Sequence, residues 1–130
     1  TALREHKPID PSPKPMPQLV SCQHPLPEPQ RYRPQADGVL SGDPAQAATN
    51  LFKSDDGRFN SGIWEAKPGK WRVVFTESEF CHFLAGVIVV TGDAGSQRTF
   101  RAGDAFVSPA GFTGTWEIIE PAKKLYAYYE

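Results

Sequence analysis

Beyond residue 51 the apolar positions of the chain come in short bursts, rich in valine, isoleucine and aromatic residues, with polar residues alternating through them. Such runs suit a pleated, half-buried surface, and they predict strands rather than helices. The runs are Phe59–Glu65, Trp71–Phe75, Phe80–Leu84, Val87–Thr91, Arg98–Arg101, Ala105–Ser108, Thr115–Ile119 and Lys124–Tyr129. Turn residues separate them. Asp55-Asp56-Gly57 reads as a hairpin turn, and Lys67-Pro68-Gly69-Lys70 as a type II turn with glycine where φ must be positive. Gly92-Asp93-Ala94-Gly95, Ala102-Gly103-Asp104, Pro109-Ala110-Gly111 and Glu120-Pro121-Ala122 punctuate the rest. Short strands with turn signals roughly every ten residues predict an all-β sandwich or barrel.

The first third of the chain follows another rule. Ten of the 13 prolines lie at or before Pro44. Proline lacks an amide donor and fixes φ, so residues 1–34 are expected to be extended or polyproline-like, with neither helix nor interior strand. Two readings of this segment stand side by side: a tail, or an arm lying over the barrel or a partner subunit through Met16, Leu19, Val20 and Leu26. The expected organisation is an arm over 1–34 and a β-domain over 35–130. Asp43-Pro44, followed by Ala45-Gln46-Ala47-Ala48, predicts an N-cap, a proline at the first helical position and one or two helical turns.

Composition narrows the function classes. With 130 residues and 39% apolar residues, the chain has enough material for one core. The net charge is −1 with no basic stripe, which argues against nucleic acid as a partner. No apolar run reaches the roughly 20 residues of a membrane span, and none resembles a signal peptide, so the expected location is the cytoplasm. Cys22 and Cys81 read as two free thiols.

Two spacings carry a resemblance. Glu79 is followed after six residues by Gly86, and Gly103 after five by Pro109-Ala110-Gly111. In this order, with residues 87–102 between them, they are similar to the two motifs of the cupin superfamily. Trp116-Glu117-Ile118 and the ending Glu120-Pro121-Ala122-Lys123-Lys124-Leu125-Tyr126 resemble the branch that includes ureidoglycine aminohydrolase-like and ethanolamine-utilisation-type cupins. The resemblance implies a single RmlC-like cupin jelly-roll barrel, here with a proline-rich N-terminal arm and at most one short helix.

It also implies a metal site that this chain does not supply. The first motif's histidines would fall within Val73, Val74, Phe75 and Thr76, and the second motif's histidine at Gly114. Only Glu79 of that ligand set remains, and His82 lies three residues on, facing the opposite side of the strand. No metal and no cofactor are expected. The family position points Glu79 into the barrel, and period-two alternation sends Cys81 and Phe83 with it, leaving Phe80, His82 and Leu84 outside. The family's Lys-x-Tyr ending favours Lys124 and Tyr126 as inward partners. Trp71, Cys81, Phe83 and Trp116 are expected to form the ligand-binding wall, with Trp64 as a further aromatic. Glu79, Lys124 and Tyr126 are the candidate acid–base groups, although Glu79 also reads as a buried anchor for strand register. The function expected is metal-independent binding of a small polar metabolite. The alternative is an enzyme of nitrogen or carbohydrate metabolism using Glu79 with Lys124 or Tyr126, and an accessory subunit is a third class. A homodimer through the outer sheet is expected, because outward Phe80, His82 and Leu84 would otherwise leave a sticky surface.

Overall fold

The computed structural model describes residues 15–23 and 25–130. The expectations placed on residues 1–14 and on His24 lie outside the described residues. Among the described residues there are nine strands: β1 Gln30–Tyr32, β2 Val39–Gly42, β3 Gln46–Lys53, β4 Phe59–Ala66, β5 Gly69–Val74, β6 Ser78–Gly92, β7 Gln97–Arg101, β8 Ala105–Ser108 and β9 Thr113–Tyr129. One 3-10 turn, Ala36–Gly38, is the sole helical element among the described residues. No helix there is long and apolar enough to cross a membrane.

All strand pairs are antiparallel, and two long strands organise them. β9 runs beside β5 through Thr113–Ile118, then beside β4 through Ala122–Tyr129, while β6 follows its other side throughout. Two half-sheets result, β1-β3-β4-β9-β6-β8 and β2-β5-β9-β6-β7, sharing β6 and β9 and curling into one barrel. The core lies inside: Trp64, Trp71, Cys81, Phe83, Ile88, Phe100, Trp116 and Ile118 form a single buried cluster drawn from both halves.

The barrel and most of its turns follow the sequence pattern, with four corrections. Residues 44–48 do not form a helix. Pro44 is instead buried against Gly69, and β3 begins at Gln46, pairing with β1 on one side and β4 on the other. Two ladders outweigh a helix of one or two turns, which cannot repay its nucleation cost, and Ala48 supplies the small residue needed opposite Trp64. Lys67–Lys70 is not a type II turn either, because Gly69 has φ 159° and already belongs to β5. A Cβ at Gly69 would lie 2.6 Å from Pro44 Cδ, so close packing is what glycine provides there.

The other two corrections join strands that were expected to be separate. The runs Phe80–Leu84 and Val87–Thr91 are one strand, since β6 passes through Gly86 with φ 99° and an irregular register against β9. A Cβ on Gly86 would lie 2.6 Å from Ala122 Cα and 2.7 Å from the Pro121 carbonyl oxygen. Pro121 sits at the facing irregularity of β9, where a missing amide donor is tolerated, so Glu120–Ala122 is a bend within a strand and not a turn between two. Among its described residues the proline-rich segment contributes the three-residue edge strand β1 and no other strand, and Met16 and Leu19 are exposed.

Candidate functional site

An open cleft of about 970 Å³ enters the barrel. Its inner wall is built by β3, β4, β5, β6 and β9, and its outer wall by the segment from β1 through the 3-10 turn. Strand register places the groups. Glu79, Cys81 and Phe83 of β6 stand opposite Tyr128, Tyr126 and Lys124 of β9. At the base, Lys124 Nζ donates to Glu79 Oε2 at 2.6 Å and to Cys81 Sγ at 3.4 Å, while the Cys81 thiol donates to the same carboxylate oxygen at 3.0 Å. The ammonium also lies 4.6 Å from the ring centroid of Trp64 and 4.4 Å from that of Trp116. A buried charge is tolerated only when paired and hydrogen-bonded, and the carboxylate, sulfur and two indole faces meet that need.

These surroundings fix the protonation states. Burial works to lower the Lys124 pKa, but the adjoining Cys81 sulfur and Glu79 carboxylate outweigh it and raise it, so the residue stays an ammonium. Burial pushes the Cys81 thiol up to about 12, with Glu79 adding to the rise against the pull of Lys124. A neutral, fully buried thiol is a poor nucleophile. The Tyr126 hydroxyl is raised well above its ordinary value, by burial first and then by Tyr128 and Glu79. Its proton is directed to Asn50 Oδ1 at 2.8 Å; Asn50 Nδ2 donates to Asn60 Oδ1 at 3.1 Å, and Asn60 Nδ2 to the Gly57 carbonyl at 3.2 Å. This one-way relay leaves the Tyr126 oxygen with acceptor capacity toward the cleft.

Three indoles close the floor. Trp64 meets Trp116 edge-on at 5.6 Å between centroids, and Trp71 lies 6.3 Å from Trp116. Trp64 Nε1 donates to Gln46 Oε1 at 2.9 Å, whereas Trp116 Nε1 is buried with no acceptor among the described residues. At the rim, Arg72 grips Asp93 through two hydrogen bonds of 2.6 and 2.9 Å, and Thr113 donates to the same carboxylate at 2.6 Å. The Arg72 guanidinium, with Thr113, holds the Asp93 pKa down at about 2.

Of the residues singled out from sequence, Glu79, Lys124, Tyr126, Trp71 and Trp116 line this cleft. Cys81 and Phe83 point the same way but are wholly buried behind it, with no surface on the cleft. Phe80 and Leu84 are exposed on the opposite face. Sequence reasoning missed Gln46 and Asn50, which fall on the segment expected to be helical or just after it, and the outer wall of Gln30, Tyr32 and Gln35. Asn60 was within reach, since it shares strand parity with Trp64 on a strand correctly expected.

A transition metal would need several converging donors, and the residues present do not fit one. Among the described residues no three His, Cys, Asp or Glu side chains gather. The glutamate at the family's ligand position is already bound to a lysine.

Residues 53–126 match the model of the EutQ-like cupin domain, over more than half of the chain. The chain belongs to the EutQ-like cupin family. Solved structures agree on the fold. A protein of unknown function of the DUF861 family from Pseudomonas syringae is similar with a TM-score of 0.70 at 21% identity, over 85% of this chain and 44% of that one. The EutQ-like chain therefore spans less than half the length of that relative. The EutQ protein of Clostridium difficile is similar with a TM-score of 0.60 at 18% identity, over 75% of this chain and 79% of that one. A putative ethanolamine utilization protein Q from Salmonella typhimurium gives 0.59 at 19% identity, over 75% and 77%. At these identities the likeness establishes the fold alone. No curated protein matches the chain.

Proposed function

We propose that this EutQ-like cupin is a metal-independent binding protein, holding a small polar molecule in the cleft above the Glu79–Lys124 pair. One observation carries the reading. Where the superfamily's glutamate would ligate a metal, Glu79 Oε2 accepts from an ammonium that the chain itself provides, 2.6 Å away. The other carboxylate oxygen, Oε1, has no partner among the described residues, and Glu79 borders the cleft. It is therefore a fixed acceptor for a ligand. Acid–base catalysis is the weaker use of the same residues. Lys124 keeps its proton, the Tyr126 proton is committed to Asn50, and neither group titrates near neutral pH.

Glu79→Gln tests the reading, because it keeps the shape and removes the charge. Ligands are found by a thermal-shift screen of a metabolite library, and the expected outcome is loss of their binding with the barrel still folded. A variant that binds as the parent does would overturn it, as would about one equivalent of transition metal in elemental analysis of gently purified protein. The proposed assembly is a homodimer of two copies joined through the outer sheet. Exposed Phe80 and Val107 stand side by side there as register partners, with exposed Leu84 further along β6. Light scattering that finds a monomer at micromolar concentration would reject the dimer.

A further inference from the structure

The polar groups around the cleft narrow the ligand to one chemical class, a step that rests on the binding role proposed above. Formal charges in the lining cancel: Lys53, Arg72 and Lys124 against Asp37, Glu77 and Glu79. The cations are also individually satisfied, Lys124 by Glu79 at the base and Arg72 by Asp93 at the rim. A phosphate or carboxylate entering the base would meet no unpaired cation, and an ammonium ligand at Glu79 Oε1 would be repelled by the Lys124 ammonium already held on the same carboxylate. Charge is thus not the basis of recognition.

What remains is uncharged and mixed in sense. The Gln30 and Gln35 carboxamides make no side-chain hydrogen bond among the described residues, and Gln46 uses only its oxygen, leaving Nε2 free to donate. Glu79 Oε1 and the Tyr126 oxygen are acceptors. Donors and acceptors are interleaved, and a hydroxyl is the group that serves both, giving one proton while taking another. Tyr32, Phe75, Tyr126 and Tyr128 add partly exposed rings to the walls. Such rings suit a ligand with apolar C–H faces between its polar edges.

We propose that the cleft recognises a neutral saccharide, reading its hydroxyls with carboxamides, the Tyr126 oxygen and Glu79, and its C–H faces with tyrosine and phenylalanine rings. The chain carries its own reporter, because all three of its tryptophans line the cleft. The full chain is titrated with glucose, galactose, mannose, rhamnose, maltose and cellobiose while tryptophan emission is followed. Glucuronate, glucose 6-phosphate and glucosamine serve as charged counterparts. The expected result is a saturable change with at least one neutral sugar, at least about tenfold tighter than with its charged counterpart. Gln46→Ala and Tyr126→Phe should each weaken it about tenfold while melting stays unchanged in at least one of them.

Charged sugars binding as tightly as neutral ones would overturn the proposal, as would silence toward all the neutral sugars. Ligand class and binding role fail separately. A response to other members of a metabolite library without any saccharide response removes the ligand class and leaves the binding role. Silence toward the whole library removes both.

Discussion

Replacing Lys124 by methionine keeps most of the side-chain volume and removes the ammonium. Its side chain is 5% exposed and that of Glu79 12%, so the pair is screened little by solvent. The variant leaves a carboxylate at the base of the barrel without its 2.6 Å partner, and both indole contacts lose their cation. Breaking one side of a buried pair costs about 3–5 kcal/mol, mostly the penalty of the stranded charge. For a domain of this size that corresponds to a melting temperature lower by roughly 10–20 °C. Urea unfolding followed by tryptophan emission measures it directly, at constant slope if only stability has changed. The decisive measurement adds Glu79→Gln to the same chain. Removing both charges should restore most of the loss, because two neutral groups no longer need each other. A single-variant cost below about 1 kcal/mol, the size of an exposed pair, would refute the argument. So would a double variant whose losses simply add.

The alkaline limb of stability should be steep. An unfolded Cys81 thiol ionises near 9.0 while the folded one keeps its proton to about 12, so the folded state holds more protons across that window and stability falls as pH rises through it. The raised Lys124 pKa acts with the same sign above its unfolded value. Cys81→Ala should flatten the slope of urea midpoint against pH between about 9 and 11, and an unchanged slope would discard the assignment. Gly86 and Gly103 both have positive φ, but a Cβ at Gly103 meets nothing within 4 Å. Gly103→Ala should therefore cost about 1 kcal/mol of backbone strain, and Gly86→Ala several times more, with loss of soluble protein as its extreme form. Equal melting temperatures for the two variants would show that the β6–β9 contact is not as tight as described.

Strand parity put Glu79, Cys81 and Phe83 on one side and Phe80 and Leu84 on the other, because a period of two survives whatever the strand pairs with. That much of the site was legible in the sequence. Parity could not separate Glu79, which borders the cleft, from Cys81 and Phe83 behind it, since depth depends on neighbouring strands. The Asp-Pro-Ala segment misled because capping and propensity are local and small, whereas β3 gains two ladders and a Trp64 contact that no local window contains. A break between Leu84 and Val87, and a turn at Pro121, were sound expectations from glycine and proline. Gly86 and Pro121 sit face to face in two continuous strands, an arrangement visible only once β6 and β9 are paired. Gln46 was lost with the mistaken helix and Asn50 with the segment just after it, and with them two of the five carboxamides that line the cleft.

The path of β9 bears on the order in which this barrel can be made. β9, the last described strand of the chain, lies between β5 and β6 along its first half and between β4 and β6 along its second. During synthesis β4, β5 and β6 therefore leave the ribosome before β9, with edges that β9 covers in the folded barrel. β3–β4 and β6–β7 can zip locally as hairpins, but neither half-sheet closes before Thr113–Tyr129 threads between them. Long-range pairing of this kind is slow, and unpaired edges invite association with other chains. Nascent chains stalled upstream of residue 113 should depend on chaperone protection, and release from it should coincide with the emergence of β9.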